Sequence, residues 1–125
     1  MNCIFCNYIS ASNFIRENPL AVAIYDNFPV NNGHMLIIPK RHFASYFDAT
    51  AEEVEALNQM LHDAKRHLDQ EYKPDGYNIG INVGEAAGQT IFHLHIHLIP
   101  RYDGDVENPR GGVRNLKTAL VPYDG

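Results

Sequence analysis

Three histidines alternate with apolar residues in the segment QTIFHLHIHLIPR, residues 89–101. In a β-strand every second side chain points to the same side, so His93, His95 and His97 would share one face. A helix would instead spread the three rings over about 200° of arc, at about 100° per residue. The spacing therefore predicts a strand with an imidazole face. Its opposite, apolar face would consist of Leu94, Ile96 and Leu98.

Aligned imidazoles suit two kinds of chemistry. They could hold a catalytic zinc ion, which would also need an open coordination position and a nearby base. Alternatively, one neutral ring could attack an electrophile such as phosphorus. The segment contains no carboxylate, whereas Gln89, Thr90 and the preceding glycine-rich stretch GEAAG could contact an anion. These features favour a substrate that contains phosphate.

The composition bounds the kind of protein. The chain has 125 residues, of which 45% are hydrophobic and 20% are charged, which suits a single domain over residues 1–125. No apolar run is long enough to cross a bilayer and the N-terminus does not resemble a secretory signal, so we expect a cytoplasmic protein without membrane contact. The net charge of −5 disfavours general binding to nucleic acid.

Strands are predicted from short apolar runs between turn residues. Asn18 and Pro19 separate two runs that form a hairpin, and Pro39 ends a third strand that starts at His34. GYNIGINVG forms a fourth strand, and the histidine segment is the fifth. The predicted strands are residues 14–17, 20–26, 34–39, 76–84 and 89–101.

One long helix is predicted after Thr50, which forms a capping box with Glu53. An apolar stripe follows at helical spacing, and Pro74 ends it. The residues of that stripe are Val54, Leu57, Leu61, Ala64 and Leu68. Together with a short N-terminal helical turn over residues 3–9, these elements predict an α+β fold with an antiparallel five-stranded sheet. Residues 106–125 are interpreted as a C-terminal tail.

The two cysteines, Cys3 and Cys6, lie in the sequence CIFC. This spacing is found in metal sites and in thiol redox motifs, whereas a lone structural disulfide is disfavoured inside a cell. Metal binding, redox chemistry and two reduced buried thiols therefore remain open from the spacing alone.

The motif HLHIHLI preceded by GQT resembles the signature of the histidine triad (HIT) family of nucleotide hydrolases and transferases. The resemblance includes CIFC, NNGHMLIIPKRH, INVGEAAGQT and HLHIHLIPRYDGD, and thus extends over most of the chain up to Asp105. It implies a HIT-like α+β fold with a five-stranded antiparallel sheet. It also implies a homodimer in which the two sheets join.

The resemblance implies a catalytic role for four histidines. His95 matches the nucleophile that forms a covalent nucleotidyl-histidine, which water then hydrolyses. His97 would hold a phosphate oxygen, the backbone carbonyl of His93 would fix the tautomer of His95, and His34 would pack behind the triad. The matches to positions that bind the phosphate or the leaving group are Asn82, Gln89 and Thr90.

The nucleoside site is also implied by resemblance, and a purine nucleotide is the expected substrate. Asp26 matches a ribose-binding position, and Asn27 stands where some relatives carry an apolar side chain. The matches to apolar positions around the base are Ile4, Phe5, Tyr8 and Ile24. Simple core packing of these four side chains remains the alternative.

Geometry independently limits attack to one of the three triad histidines. Same-face neighbours on a strand stand roughly 6.5–7 Å apart, so one phosphorus atom cannot be equally close to all three rings. The central ring, His95, is the only one with a histidine on each side. An imidazole attacks only when it is neutral, with one nitrogen free and the other protonated and held by an acceptor.

A structural zinc ion is implied by similarity to bacterial relatives with an N-terminal CxxC. Its ligands would be Cys3, Cys6, His42 and His93. Two thiolates and two imidazoles suit tetrahedral zinc, and such a closed site would not take part in catalysis. The resemblance implies no metal requirement for the reaction itself.

Two branches of the family remain open. Asn82 resembles the branch that cleaves nucleoside phosphoramidates, whereas LIPRYDGD resembles dinucleoside polyphosphate hydrolases. We expect hydrolysis of dinucleoside polyphosphates or nucleotidyl conjugates. The alternatives are a nucleoside phosphoramidate hydrolase and a slow protein that binds or senses nucleotides.

Overall fold

Five strands and two α-helices form the part of the chain that this computed structural model describes, residues 2–117 and Pro122. The helices are α1 (Ile4–Ser10) and α2 (Ala51–Glu71). The strands are β1 (Arg16–Glu17), β2 (Ala21–Tyr25), β3 (Met35–Pro39), β4 (Gly76–Gly80) and β5 (Ile96–Arg101). The predicted α+β class and the five-stranded antiparallel sheet are confirmed. The predicted tail ends in residues outside those described.

The sheet has the order β1-β2-β3-β5-β4, and every neighbouring pair is antiparallel. In the centre, β5 pairs with β3 so that His97 lies opposite Leu36. On its other side β5 pairs with β4, where Gly80 lies opposite His97. The end of the triad therefore lies between a central strand and an edge strand.

Helix α2 covers one face of the sheet. Its wholly buried apolar residues are Leu57, Met60, Ala64 and Leu68. They pack in one cluster with Leu94, Ile96 and Leu98, as predicted for the apolar side of the histidine segment. The predicted stripe is slightly misplaced, because Met60 is buried whereas Val54 and Leu61 are only half-buried. No helix in the described residues is long and apolar enough to span a membrane.

The start of α2 also anchors the loop that follows β3. Thr50 and Glu53 form the predicted capping box, and both carboxylate oxygens of Glu53 accept from Arg41, at 3.0 and 2.8 Å. The hydrogen bonds from Arg41 lower the pKa of buried Glu53 to about 2. This pairing fixes the residue next to His42.

Helix α1 packs on the opposite face of the sheet. Its residue Phe5 joins a second apolar cluster from β2 and β3. Those strand residues are Val22, Ile24, Leu36 and Ile38. The sheet thus separates the α2 core from the face that carries α1.

The histidine strand is shorter than predicted. Strand β5 begins at Ile96, so His93 and His95 precede it and only His97 belongs to the ladder. The backbone leaves the sheet because the amide of Leu94 donates to the carbonyl of Phe43, at 2.7 Å, instead of to β3. The other four strands are also shorter than predicted: 14–17 is reduced to residues 16–17, 20–26 to 21–25, 34–39 to 35–39, and 76–84 to 76–80.

Candidate active site and metal centre

A cavity of about 290 Å³ opens on the α1 face of the sheet. It lies between α1, the end of β2, the loop before the triad and β5. Eight of the residues singled out in the sequence line it together with His95 and His97: Ile4, Phe5, Tyr8, Ile24, Asp26, Asn27, Asn82 and Thr90. The structure thus brings the nucleoside-side and phosphate-side candidates to one place.

His95 has its proton on the nitrogen that faces the backbone. Its Nδ1 lies 2.8 Å from the carbonyl oxygen of His93. A carbonyl oxygen can only accept, so Nδ1 donates and the neutral ring keeps a lone pair on Nε2. The ring of Phe5 packs edge-on against His95, with 5.0 Å between centroids. His95 therefore combines a free nucleophilic nitrogen with a held ring.

His34 fixes the tautomer of His97, here by donating a hydrogen bond. The amide of Val30 donates to His34 Nδ1 at 3.0 Å, so the proton of the neutral His34 ring is on Nε2. That nitrogen lies 3.0 Å from His97 Nδ1, which must accept. His97 consequently carries its own proton on Nε2. His97 is therefore a hydrogen-bond donor beside His95.

His97 is also held neutral. Its burial, together with the neighbouring rings of His95 and His34, lowers its pKa to about 4. Burial likewise lowers the pKa of His34, and the charge of Asp26 only partly opposes this effect. At neutral pH, His34 and His97 therefore contribute directed N–H groups without positive charge.

Asp26 lines the cavity, and its side chain is 18% exposed. One carboxylate oxygen accepts from the amide of Phe28 at 2.8 Å, and the other lies 3.5 Å from His34 Nε2. Asn27 also lines the cavity, and its side-chain amide donates to the hydroxyl of Tyr8 at 2.7 Å. The Asn27–Tyr8 bond, which no sequence pattern predicts, connects the β2–β3 loop to α1.

Gln89 does not line the cavity. Its buried side chain accepts from the amide of Gly84 at 2.9 Å and donates to the carbonyls of Ala44 and Ile91, at 3.0 and 3.1 Å. These bonds fold the glycine-containing loop, while the neighbouring residue Thr90 faces the cavity. In the structure Gln89 acts on the shape of the loop.

The two cysteines and two histidines predicted as metal ligands form one cluster. Nδ1 of His93 lies 3.4 Å from Cys3 Sγ, 3.5 Å from Cys6 Sγ and 3.1 Å from His42 Nδ1. His42 Nδ1 lies 3.4 Å from Cys6 Sγ. Three segments far apart in sequence, which carry the two cysteines, His42 and His93, thus converge on a single point.

The donor set fits zinc. His93 Nε2 lies 2.8 Å from the carbonyl oxygen of Pro39, so it carries the proton and Nδ1 keeps a lone pair toward the sulfurs. Tetrahedral zinc with bonds of about 2.0 Å to nitrogen and about 2.3 Å to sulfur has ligand–ligand edges of roughly 3.3–3.8 Å. The distances in the cluster are close to those edges.

A second group of possible ligands, Asp26, His34 and His97, fits a metal poorly. His34 Nδ1 accepts the amide of Val30, so the Nε2 that faces the other two residues carries a proton. A protonated nitrogen cannot coordinate a metal ion. The hydrogen bonds thus leave His93 of the first cluster with a lone pair toward the sulfurs, whereas His34 of the second group presents a proton to its neighbours.

Comparisons with known proteins agree with this geometry. The family model described as the HIT domain matches residues 9–104. An adenylylsulfatase of Arabidopsis thaliana is 34% identical over 107 residues, covering 83% of this chain and 54% of the relative. A protein of Mycobacterium tuberculosis named AP-4-A phosphorylase is 33% identical over 92 residues, covering 73% of this chain and 47% of the relative. The chain thus spans about half the length of each of these two relatives.

A solved structure offers a match over nearly the whole chain. It is a zinc-bound histidine triad family protein from Mycobacterium smegmatis, with a TM-score of 0.76 and 34% identity, covering 96% of this chain and 94% of that one. The alternating histidines, the antiparallel sheet and the family model lead to the same conclusion. This chain belongs to the histidine triad family, whose domain it contains over residues 9–104.

Proposed function

We propose that the protein is a nucleotide hydrolase that cleaves dinucleoside polyphosphates or other nucleotidyl conjugates through a covalent nucleotidyl-His95 intermediate. The observation that carries this proposal is the 2.8 Å contact from His95 Nδ1 to the carbonyl oxygen of His93. It leaves Nε2 unprotonated inside a cavity with apolar walls and a carboxylate. An unprotonated nitrogen in that position is the requirement for attack on phosphorus.

The proposed reaction has two displacements. Nε2 of His95 forms a bond to the α-phosphorus, and the bond from phosphorus to the leaving group breaks. His97 Nε2–H donates to an oxygen of the phosphoryl group, whose charge grows as the transition state forms. Water then attacks the same phosphorus and gives up a proton, which balances the proton that the leaving group takes up. The bond from His95 to phosphorus breaks, its electron pair returns to Nε2, and the nucleoside monophosphate is released.

The remaining cavity residues would bind the substrate. The apolar side chains of α1 and β2 would enclose a purine base, and Asp26 would accept from the ribose hydroxyls. Asn82 and Thr90 would contact the phosphoryl group, with Gln89 holding the loop that presents Thr90. The names of the two curated relatives, an adenylylsulfatase and an AP-4-A phosphorylase, fit this substrate class.

His95→Ala should lower kcat by about 10³-fold or more, because only this ring has a free nitrogen in the cavity. Nucleotide binding should stay near that of the unaltered protein, since the base and ribose contacts are intact. Turnover of diadenosine tetraphosphate and an AMP amide, together with calorimetric titration with AMP, measures both effects. His62→Ala is the control, because His62 is exposed on α2 and bonded only to its own helix.

Two further results bear on the same assignment. Added imidazole should restore part of the activity of His95→Gly by occupying the vacated space. Mass spectrometry of acid-free, rapidly digested protein should locate the nucleotidyl group on His95. Attachment to His97, or full activity of His95→Ala, would show that another group is the nucleophile.

We further propose that Cys3, Cys6, His42 and His93 hold one structural zinc ion. The inward lone pair of His93 and the ligand distances support this, as does the zinc-bound relative. When bound, zinc would link α1, the loop after β3 and the residue just before the triad. These four side chains would surround it completely, leaving no coordination position for a substrate.

Protein purified without chelator should contain near one zinc per chain by elemental analysis. Cys3→Ser/Cys6→Ser should lose the metal and unfold at a lower temperature, because zinc binding contributes to folding stability. His42→Ala should weaken metal retention, whereas His62→Ala on α2 should not. Metal-free protein that is as thermally stable as the zinc-loaded form would refute the proposal.

A homodimer is also proposed. Among the described residues no strand pairs with the outer edge of β4, and an exposed edge invites pairing with a second strand. Beside that edge an apolar groove of about 430 Å³ runs between β4 and α2. Residues lining it include Val54, Leu57, Leu61, Ile79 and Ile81. A second copy related by a two-fold axis would pair β4 with β4 and cover both grooves.

Sedimentation at micromolar concentration should give about twice the 14.1 kDa mass of one chain. Ile79→Asp should shift the protein to monomer, since Ile79 is 49% exposed and lines the groove. Ile15→Asp is the matched control, because Ile15 is 45% exposed and precedes β1 at the other edge of the sheet. A monomeric boundary for the unaltered protein would contradict the dimer.

A further inference from the structure

We infer that a second cavity, on the β4 side of His97, receives the leaving group, and that the preferred leaving group is uncharged and partly apolar. This inference rests on the proposed function. It chooses between the two substrate classes that the proposed function allows. The cavity has a volume of about 270 Å³.

The two cavities meet at the catalytic residues. His97 and Asn82 line both cavities, whereas His95 lines only the first, the cavity of about 290 Å³ beside α1, here called the nucleoside cavity. In-line displacement places the leaving group opposite the attacking nitrogen. A phosphorus atom attacked by His95 beside His97 and Asn82 would therefore direct its leaving group into the second cavity.

The walls of the second cavity are apolar. Val30 comes from the β2–β3 loop, Ile99 from β5 and Val113 from the C-terminal segment. Val30 and Val113 are 68% and 58% exposed, so an apolar group bound between them would remove their surface from water. The C-terminal segment thus contributes to the leaving-group site within the same chain.

The lining of the cavity carries no charged side chain. Among the described residues it contains no lysine, arginine, aspartate or glutamate, and burial lowers the pKa of both of its histidines, His34 and His97. The nearby Arg101 already donates to Asn78 and, through two nitrogens, to Asp105. A polyphosphate leaving group carries several negative charges, and cations usually bind such groups. An uncharged leaving group needs none.

Gly80 provides the space beside His97. The two residues are register partners, so a side chain at position 80 would stand on the His97 face of the sheet. A Cβ added there would meet no atom within 4 Å. Gly76 lies on the same face of the same strand, also with no atom within 4 Å of an added Cβ, but outside this cavity. A valine at position 80 should therefore fill the cavity, and a valine at position 76 is the matched control that leaves it open.

The test uses AMP amides that share one nucleotidyl group and one type of P–N bond: the unsubstituted, the N-benzyl and the N-carboxymethyl amide. The unaltered protein should have a kcat/KM for the N-benzyl amide at least about tenfold above that for the N-carboxymethyl amide. Diadenosine tetraphosphate, whose leaving group is charged, should also give a lower kcat/KM than the N-benzyl amide.

Gly80→Val should lower the ratio of kcat/KM for the N-benzyl amide to that for the unsubstituted amide by at least about tenfold. Gly76→Val should change this ratio by less than about twofold, because it adds the same side chain to the same edge strand away from the cavity. Circular dichroism establishes that both variants are folded. The substrate comparison with the unaltered protein remains decisive if Gly80→Val does not fold.

The outcomes separate the inference from the proposed function. No turnover of any substrate and no nucleotidyl-His95 would overturn both. Turnover with equal or higher kcat/KM for the charged leaving groups would overturn the inference alone. An unchanged benzyl-to-unsubstituted ratio in folded Gly80→Val would also overturn it, because the cavity would then not hold the leaving group.

Discussion

The hydrogen bond from His95 Nδ1–H to the carbonyl oxygen of His93 is the constraint on which the rest of the site depends. It spans only two residues, yet it decides which nitrogen of the central ring is free. A carbonyl performs this function without adding charge, and a ring protonated at Nδ1 alone keeps on Nε2 the lone pair that attack requires. The direction of the backbone at His93 therefore matters more to the chemistry than the position of its side chain in the triad.

The surrounding fold holds that backbone in place. The side chain of His93 is fully buried and donates to the carbonyl of Pro39, and the next residue, Leu94, donates to the carbonyl of Phe43. A buried polar group that lost its partner would cost about 1–3 kcal/mol, so rotation of this segment is opposed. Phe5 contacts the rings of both His93 and His95. His93 thus belongs to the cysteine cluster through its ring and to the candidate active site through its carbonyl.

The spacing of apolar residues predicted the parts of the fold that have a regular helix or strand periodicity. The capping box at Thr50 and Glu53 and the apolar faces of α2 and of the triad segment follow from periodicities of 3.6 and 2. The start of β5 could not be predicted this way. It depends on the contact between Leu94 and Phe43, 51 residues apart, which leaves no local pattern. The alternation of polar and apolar residues already runs through residues 93–95, before the strand begins at Ile96, so it does not mark the start of β5.

The candidate site also contains residues that the sequence predicted and contacts that it could not predict. Residue types and family resemblance indicated most of the residues that line the nucleoside cavity. The hydrogen bonds of the Gln89 side chain to Gly84 and Ala44, and the bond between Asn27 and Tyr8, depend on how the chain folds in three dimensions. No local sequence pattern indicates them. The second cavity was equally hidden, because Val30, Ile99 and Val113 belong to distant segments whose apolar character has no special spacing.

The tautomer of His95 tests this account most directly. Long-range proton–nitrogen correlation spectra of protein labelled with ¹⁵N-histidine, assigned with His95→Ala and recorded at neutral pH, report which nitrogen of each ring is protonated. We expect a His95 ring protonated at Nδ1, with Nε2 free, and a His97 ring protonated at Nε2. A His95 ring protonated at Nε2 would contradict it, because the nitrogen facing the cavity would then have no lone pair with which to attack phosphorus.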